Sequence, residues 1–371
     1  MKKSLLLKII PGVILAIYLS LLIILTSSNT DIKTIRSIYS SNTGFESFQN
    51  EIINIGLKKL GYKMKTKQGG FSRDNYIAIA NGNFDYTTTY PTYPWYKQTF
   101  EEANSKEKLE IVGTLIPNFI RGYQIDKKTA EGYKITNFQQ LQDQKIAKLF
   151  DSDGNDQANI AHCHAPCEDI RKQLKAYGLE NTVEYDTNRL GMCNMRLFVE
   201  SRPCYEKTIT RDHEGKPILY YASQPEWIFS ALKQGEDVVW LEVPFTLDNL
   251  TEKDTLVDGK NLGFPIIQQR IIANKKFLEA NPVAKRWLEL LQIPLADLNA
   301  EELRIKEAVD RLENNVSGFT RYRLEKIYSF LDRKLGNSHR QAKKWVKNNQ
   351  QQFYRWLKEA KQMEGTTPNK G

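Results

Sequence analysis

Cysteine, histidine and closely spaced acids are the residues here whose spacing could do chemistry. Cys163, Cys167, Cys193 and Cys204 are the four cysteines. His162-Cys163-His164 with Cys167 sets four soft ligands within six residues, the donor types of a zinc site. Adjacent ligands point apart, however, and the spacing matches no standard zinc pattern, so two disulfides are the preferred reading and zinc the competing one. Four cysteines allow three pairings. The local one, Cys163–Cys167 with Cys193–Cys204, is taken, because a three-residue loop can hold two cysteines at the Cα separation of about 5–6 Å that a bridge needs. Asp151, Asp153, Asn155, Gln157 and Asn159 place oxygen donors at alternate positions, as a calcium loop does. The sixth position is Asp156 instead of glycine, and the twelfth is His162 instead of glutamate, so a polar turn is expected before a calcium site. Phosphate-loop, nucleophile-elbow, zinc-protease and dinucleotide glycine patterns are all missing. Enzyme chemistry and a bound cofactor are therefore not expected.

The 371 residues suit two compact lobes, and a mean hydropathy of −0.53 excludes a multi-span membrane protein. The net charge of +9 is unevenly placed. Residues 1–28 hold Lys2, Lys3 and Lys8 and no acid; residues 321–361 hold twelve Lys or Arg against three acids; the body is left mildly acidic. A nucleic-acid reader concentrates basic charge on its reading domain, so nucleic acid is not expected as a partner. Residues 9–25 carry no charge and follow a short basic stretch, the layout of an export signal. As a helix they would span about 25 Å, the short end for a bilayer. A cleaved signal peptide over 1–28 and an uncleaved anchor both fit, and both leave the body outside the cytoplasm. It is then periplasmic, tethered to the inner membrane in the second case. An even cysteine set agrees with an oxidising compartment.

The body alternates strand and helix signals. Residues 31–39 alternate like a strand, and 45–60 carry apolar residues at helical spacing up to Gly61, a stop signal. Residues 76–80 with Asn81-Gly82 read as a helix end or turn. Strands are expected at 111–115, 119–125, 218–222, 238–243 and 263–267, and helices at 225–232, 275–280, 283–291 and 301–312. This order argues for α/β architecture with a largely parallel sheet.

Several stretches resemble the periplasmic glycine betaine/proline betaine-binding proteins of ABC importers: residues 121–151 (RGYQIDKKTAEGYKITNFQQLQDQKIAKLFD), residues 215–245 from GKPILYY to DVVWLEVPF, Gly263-Phe264-Pro265, Ile272-Ala273-Asn274-Lys275, and 349–356 (NQQQFYRW). The likeness runs from about 31 to 362, apart from insertions near 190–210 and 301–335. It implies an α/β, two-lobed, type II solute-binding fold with two hinge crossings and a ligand cleft between the lobes. Lobe one would be 29–124 with 265–362, lobe two 125–264, and 363–371 a flexible tail. The implied function is osmoprotective transport. An exported protein binds a small zwitterionic or quaternary ammonium solute of the betaine class and delivers it to a membrane permease with its ATPase.

The family's tryptophan cage does not carry over residue by residue. A quaternary ammonium has no N–H to donate, so recognition rests on electron-rich ring faces. The family pattern N-W-T-P-x-H falls on 90–96, with Pro94 kept, Thr92 or Tyr90 at the tryptophan position and Tyr96 at the histidine. The pattern C-N-P-G-W-G-C falls on Cys163–Cys167, two residues shorter and without its tryptophan. The pattern Y-Y-T-W-T-P-Y-W falls on 220–227, with Ser223 in place of the cage tryptophan and Trp227 kept. Two readings remain open. Tyr90, Tyr93, Trp95 and Tyr96 rebuild a cage, or a more polar solute is held by His164, Ser223 and Gln224. Cys167, Tyr221 and Trp227 complete the candidate set. The bland reading of the aromatic group is core packing.

Residues 324–335 and 346–357 read as amphipathic helices with Lys and Arg outward, packed on lobe one with a solvated basic face, or touching anionic lipid headgroups or an acidic permease surface. The rival function is a membrane-tethered sensor or adaptor that kept this fold and lost or altered its ligand.

Overall fold

The computed structural model describes residues 33–40, 45–70, 72–92, 94–104, 106–162, 167–184, 201–246, 250–315 and 336–365. The N-terminal apolar run, the expected helix at 324–335 and residues 366–371 lie outside them, as do Tyr93, Cys163, His164 and Cys193 and the side chains of Tyr90, Trp95 and Cys167. Among the described residues no helix is long and apolar enough to cross a membrane.

The chain begins β1 (Thr34–Ser40), α1 (Phe45–Lys59), β2 (Lys63–Gly69), α2 (Ser72–Ala80), β3 (Tyr86–Pro91), α3 (Pro94–Ala103) and β4 (Leu109–Phe119). It continues with β5 (Arg121–Asp126), α4 (Lys127–Tyr133), α5 (Gln144–Ala147), β6 (Ala158–Asn159), β7 (Ala161–His162), α6 (Cys167–Ala176), β8 (Val183–Glu184), α7 (Ser201–His213) and β9 (Leu219–Ser223). Next come α8 (Ile228–Ala231), β10 (Val238–Trp240), α9 (Glu252–Thr255), β11 (Leu256–Val257) and β12 (Lys260–Asn261). The last part is β13 (Ile267–Asn274), α10 (Lys275–Ala280), α11 (Pro282–Leu290), α12 (Leu295–Asn315), α13 (Asn337–Asn348) and α14 (Gln350–Lys361).

Two sheets organise these elements. The first has the order β2-β1-β3-β13-β4 and the second β10-β5-β9-β7. Successive side chains of a strand face opposite ways, and both faces of each sheet are covered. In β1, Ile35 enters the core beneath α1, α11, α13 and α14, while Ile38 enters the smaller core beneath α2 and α3. In β9, Leu219 and Tyr221 face one core of the second sheet, and Tyr220 and Ala222 the other. The chain changes sheet between Phe119 and Arg121 and returns between Asn261 and Ile267.

The sheets are mixed, which corrects the expectation of a largely parallel one. β1 pairs parallel with β2 and β3, whereas β13 runs antiparallel to both β3 and β4. The cause is the second crossing: β13 re-enters the first sheet from the other lobe and slots between β3 and β4 in the opposite sense. Residues 263–267 also correct the expected strand. Only Ile267 is in β13, because Gly263 sits at φ +74° and Pro265 follows. At Gly263 an added Cβ would lie 2.7 Å from Val243 in a backbone region that disfavours side chains.

Helix α1 stops where expected. Gly61 takes φ +90°, and the Tyr62 N–H reaches back to the Leu57 carbonyl at 3.0 Å, the bond that closes a left-handed helix end. In the middle of α1, Gly56 lets the helix lie directly on the fully buried indole of Trp287 from α11; a Cβ there would be 2.0 Å from the ring. Helix propensity favours alanine by up to ~1 kcal/mol, but overpacking a filled core costs about 1–3 kcal/mol. Gly56→Ala is therefore expected to lower stability in urea titration, against its propensity.

Candidate ligand site at the interlobe crossings

The two crossings lie side by side and are tied together. Arg121, at the start of β5, is 6% exposed. Its Nη2 donates to the Pro265 carbonyl of the second crossing at 3.3 Å, and its guanidinium lies 5.8 Å from the Phe264 ring centre. Gln173 of α6 donates to the Gly263 carbonyl at 2.8 Å, fastening the same turn to the second lobe. The end of β9 joins the group. Ser223 pairs with Arg121, and Gln224 binds Ile120 both ways, backbone N–H to carbonyl at 3.0 Å and side-chain oxygen from the Ile120 N–H at 3.2 Å. The Gln224–Pro225 bond is cis.

The end of β3 meets the start of β13 at the same level. The Thr92 N–H donates to the Gln268 carbonyl at 2.9 Å, and the Gln268 N–H donates to the Thr92 hydroxyl at 2.9 Å. Thr92, at a position where the family has a tryptophan, is thus fastened to a neighbouring strand. Tyr90 pairs with Arg270 through the backbone. Strand ends from both lobes, carrying Tyr90, Thr92, Ser223 and Gln224, therefore converge on the crossings.

Other expected site residues sit elsewhere. Tyr96 packs against the core beneath α2 and α3. Tyr221 is 1% exposed, with its ring edge-on to Phe264 at 5.1 Å. Trp227 is 5% exposed, edge-on to Tyr205 at 5.9 Å. These three fill three different cores, the ordinary use of clustered aromatics. Burial pushes the Tyr205 phenol well up, with Glu226 adding to it, and does the same to Tyr220, where Asp212 and Asp237 add. Both phenols stay neutral at physiological pH. Cys204 is disulfide-bonded, while the side chains of the other three cysteines lie outside those described.

One element touches both lobes. Near its start α12 belongs to lobe one: Leu298 enters the core beneath α1, the indole N–H of Trp345 donates to Asp297 at 2.7 Å, and the Phe45 N–H donates to Glu302 at 3.1 Å. The same helix reaches lobe two. Asn299 accepts from the Glu226 N–H at 3.2 Å, and Leu303 packs against the core around Trp227. The Lys306 ammonium lies 4.8 Å from the Trp227 ring centre and pairs with Glu206 of α7 at 3.1 Å and Asp310 at 2.6 Å. Sequence reasoning missed Arg121 and Lys306. Their only signal was a cation placed within or beside an apolar run.

The calcium-like stretch folds onto itself. Asp151 accepts backbone N–H bonds from Asp153 at 3.0 Å, Gly154 at 2.7 Å and Asp156 at 2.8 Å, and Asn159 accepts from the Ser152 N–H at 2.6 Å. Burial works to raise the Asp151 carboxyl, but the N–H groups of Gly154, Asp156 and Asp153 together hold it below the usual carboxylate range. A folded-state value below the unfolded one means the turn stabilises above the ordinary carboxylate pKa and loses this as pH falls through the lowered value. Asp151→Asn is expected to flatten the acid limb of the melting temperature against pH, by a small amount because solvent screens the group. The wild-type melting temperature is expected to be the same with calcium and with a chelator.

Comparison with known proteins decides the family. The model of the substrate-binding domain of the ABC-type glycine betaine transport system matches residues 34–314. The chain belongs to this family. It is similar to the glycine betaine/proline betaine-binding periplasmic protein of Escherichia coli K12, 35% identical over 335 residues that cover 88% of this chain and 90% of that one. It is also similar to the glycine betaine-binding periplasmic protein OusX of Dickeya dadantii, 34% identical over 283 residues, 74% of this chain and 82% of that one. Among solved structures, lactococcal OpuAC, closed and complexed with glycine betaine, superposes with a TM-score of 0.50 at 15% identity, covering 88% of this chain and 99% of that one. The Borrelia burgdorferi ProX glycine betaine/L-proline-binding protein gives 0.50 at 15%, covering 87% and 96%. These likenesses show the fold. The substrate-binding domain family is two-lobed and of type II, and the paired crossings described above are its hinge.

Proposed function

We propose that this protein is the substrate-binding component of an ABC importer, taking a small zwitterionic or quaternary ammonium solute of the glycine betaine/proline betaine class. The observation that carries this reading is the family match over 34–314, together with two sheets joined by adjacent crossings. Lobe one is built from the chain before residue 120 and after about 265, lobe two from the chain between; the boundary expected at 124 moves to residue 120 because β5, from Arg121, pairs in the second sheet. Solute binds where the strand ends meet, between the end of β3 and the end of β9. Tyr90, Tyr93 and Trp95 supply ring faces for a cation, and His164, Ser223 and Gln224 supply polar groups for a carboxylate. Tyr96, Tyr221 and Trp227 support the walls from within the cores. Closed, liganded protein then docks on a permease driven by an ATPase. The periplasmic names of the relatives support an exported body, with the N-terminal apolar run as signal or tether, and the disulfide at Cys204 supports an oxidising compartment.

Calorimetric titration with glycine betaine, proline betaine and choline tests the ligand class. At least one is expected to give saturable heat together with a smaller radius of gyration in solution scattering. Silence with all three overturns the betaine class for this chain.

A further inference from the structure

Helices α13 and α14 carry a basic outer face that nothing in solute binding uses. In α13 the apolar side is Ala342, Trp345 and Val346, all in the core of lobe one. Arg340, Lys343, Lys344 and Lys347 follow at i, i+3, i+4 and i+7 on the opposite, exposed side. In α14, Phe353, Leu357 and Ala360 are buried, while Arg355, Lys358 and Lys361 are exposed, next to Tyr354 at 45% exposure. The carboxylate on α14, Glu359, is half-exposed and paired with Arg286. Lys343, Lys344, Lys347, Lys358 and Lys361 make no hydrogen bond or ion pair among the described residues. Two consecutive helices thus present seven cations outward, with their carboxylate already neutralised.

We infer that this face rests on an anionic lipid surface. The composition favours lipid over an acidic protein. Protein interfaces are depleted in lysine and centre on aromatic or arginine anchors set in pockets, whereas five of these seven cations are lysines, mobile point charges on long stems that suit a diffuse layer of headgroups. The surface lies on lobe one, on helices that supply none of the candidate solute-site residues, so the two contacts are compatible.

Each lysine near an anionic surface strengthens partitioning by about fivefold at low salt. The test uses the full chain with vesicles of phosphatidylcholine alone or with about one quarter phosphatidylglycerol, read by co-sedimentation. The apolar run at 9–25 and its flanking Lys2, Lys3 and Lys8 act alike in wild type and variant, so the difference between the two proteins in their anionic-to-neutral partition ratio reports the charged face. Wild-type protein is expected to prefer anionic vesicles by at least about tenfold at low salt, with the preference gone near 1 M salt, where the screening length is about 3 Å. The combined variant Lys343→Gln, Lys344→Gln, Lys347→Gln, Lys358→Gln and Lys361→Gln, altered only at exposed positions, is expected to lose most of that preference while melting and binding solute as wild type does. Equal partitioning of wild-type protein between the two vesicles overturns the inference and leaves the face to an acidic protein. An undiminished preference in the variant overturns it as well. Solute titration is read separately, so failure here leaves the transport reading untouched.

Discussion

Trp227→Ala is expected to destabilise the protein by about 3–5 kcal/mol, the range for truncating a large buried aromatic. The indole is 5% exposed, lies edge-on to Tyr205 and is capped by the Lys306 ammonium. Truncation leaves a cavity in the core of lobe two and removes a cation–π contact of about 0.5–2 kcal/mol. Trp227→Phe keeps a ring and much of the apolar area, and is expected to lose roughly half as much. Urea denaturation measures both, and solute titration is run beside it. A tryptophan that walls the ligand would behave in the opposite way, with affinity lost and the denaturation midpoint unchanged. That pattern would return Trp227 to the solute site.

Arg121→Met is expected to lower stability by about 2–3 kcal/mol and to weaken solute binding without touching solute. Methionine keeps the apolar stem but loses the charge-assisted bond to the Pro265 carbonyl and the stacking over Phe264. Arg121→Lys is not expected to rescue it, because an ammonium lacks the planar fork that spans carbonyl and ring. With the crossings untied, more of the population lies in open arrangements, and apparent affinity falls by the fraction that remains competent. Hydrogen exchange at Ile120–Arg121 and at Gly263–Ile266 reads the loosening directly. Unchanged exchange at both crossings would refute the coupling.

Local signals in the sequence carried far. The stop at Gly61, the helices from Lys275 and Pro282, and the strand ending at Ser223 all appear near their expected places, because each is set by nearest neighbours: a glycine at positive φ, a proline at a helix start, an alternating apolar run. What was not legible depends on partners far along the chain. The apolar run from Gly263 to Ile267 looks like a strand until Gly263 is seen turning against Val243. Strand direction in the first sheet depends on which way the chain re-enters, which periodicity does not encode. The aromatics divided in a similar manner. Spacing grouped Tyr90, Tyr93, Trp95 and Tyr96 together, yet Tyr96 is on the inner side of α3, in the core beneath α2 and α3. Leu303 lies in the helix expected at 301–312, but helical periodicity is silent on which lobe such a helix packs against.

Helix α12 is anchored in one lobe through Leu298, Asp297 and Glu302 and in the other through Asn299, Leu303 and Lys306. Any swing of the lobes about their hinge must shear one of these two sets of contacts. The stiffness of the jaw is therefore written into a helix that supplies no side chain to the candidate solute site. Substitutions along α12 can retune how tightly the protein holds its cargo, and how readily it lets go, while the pocket stays as it is.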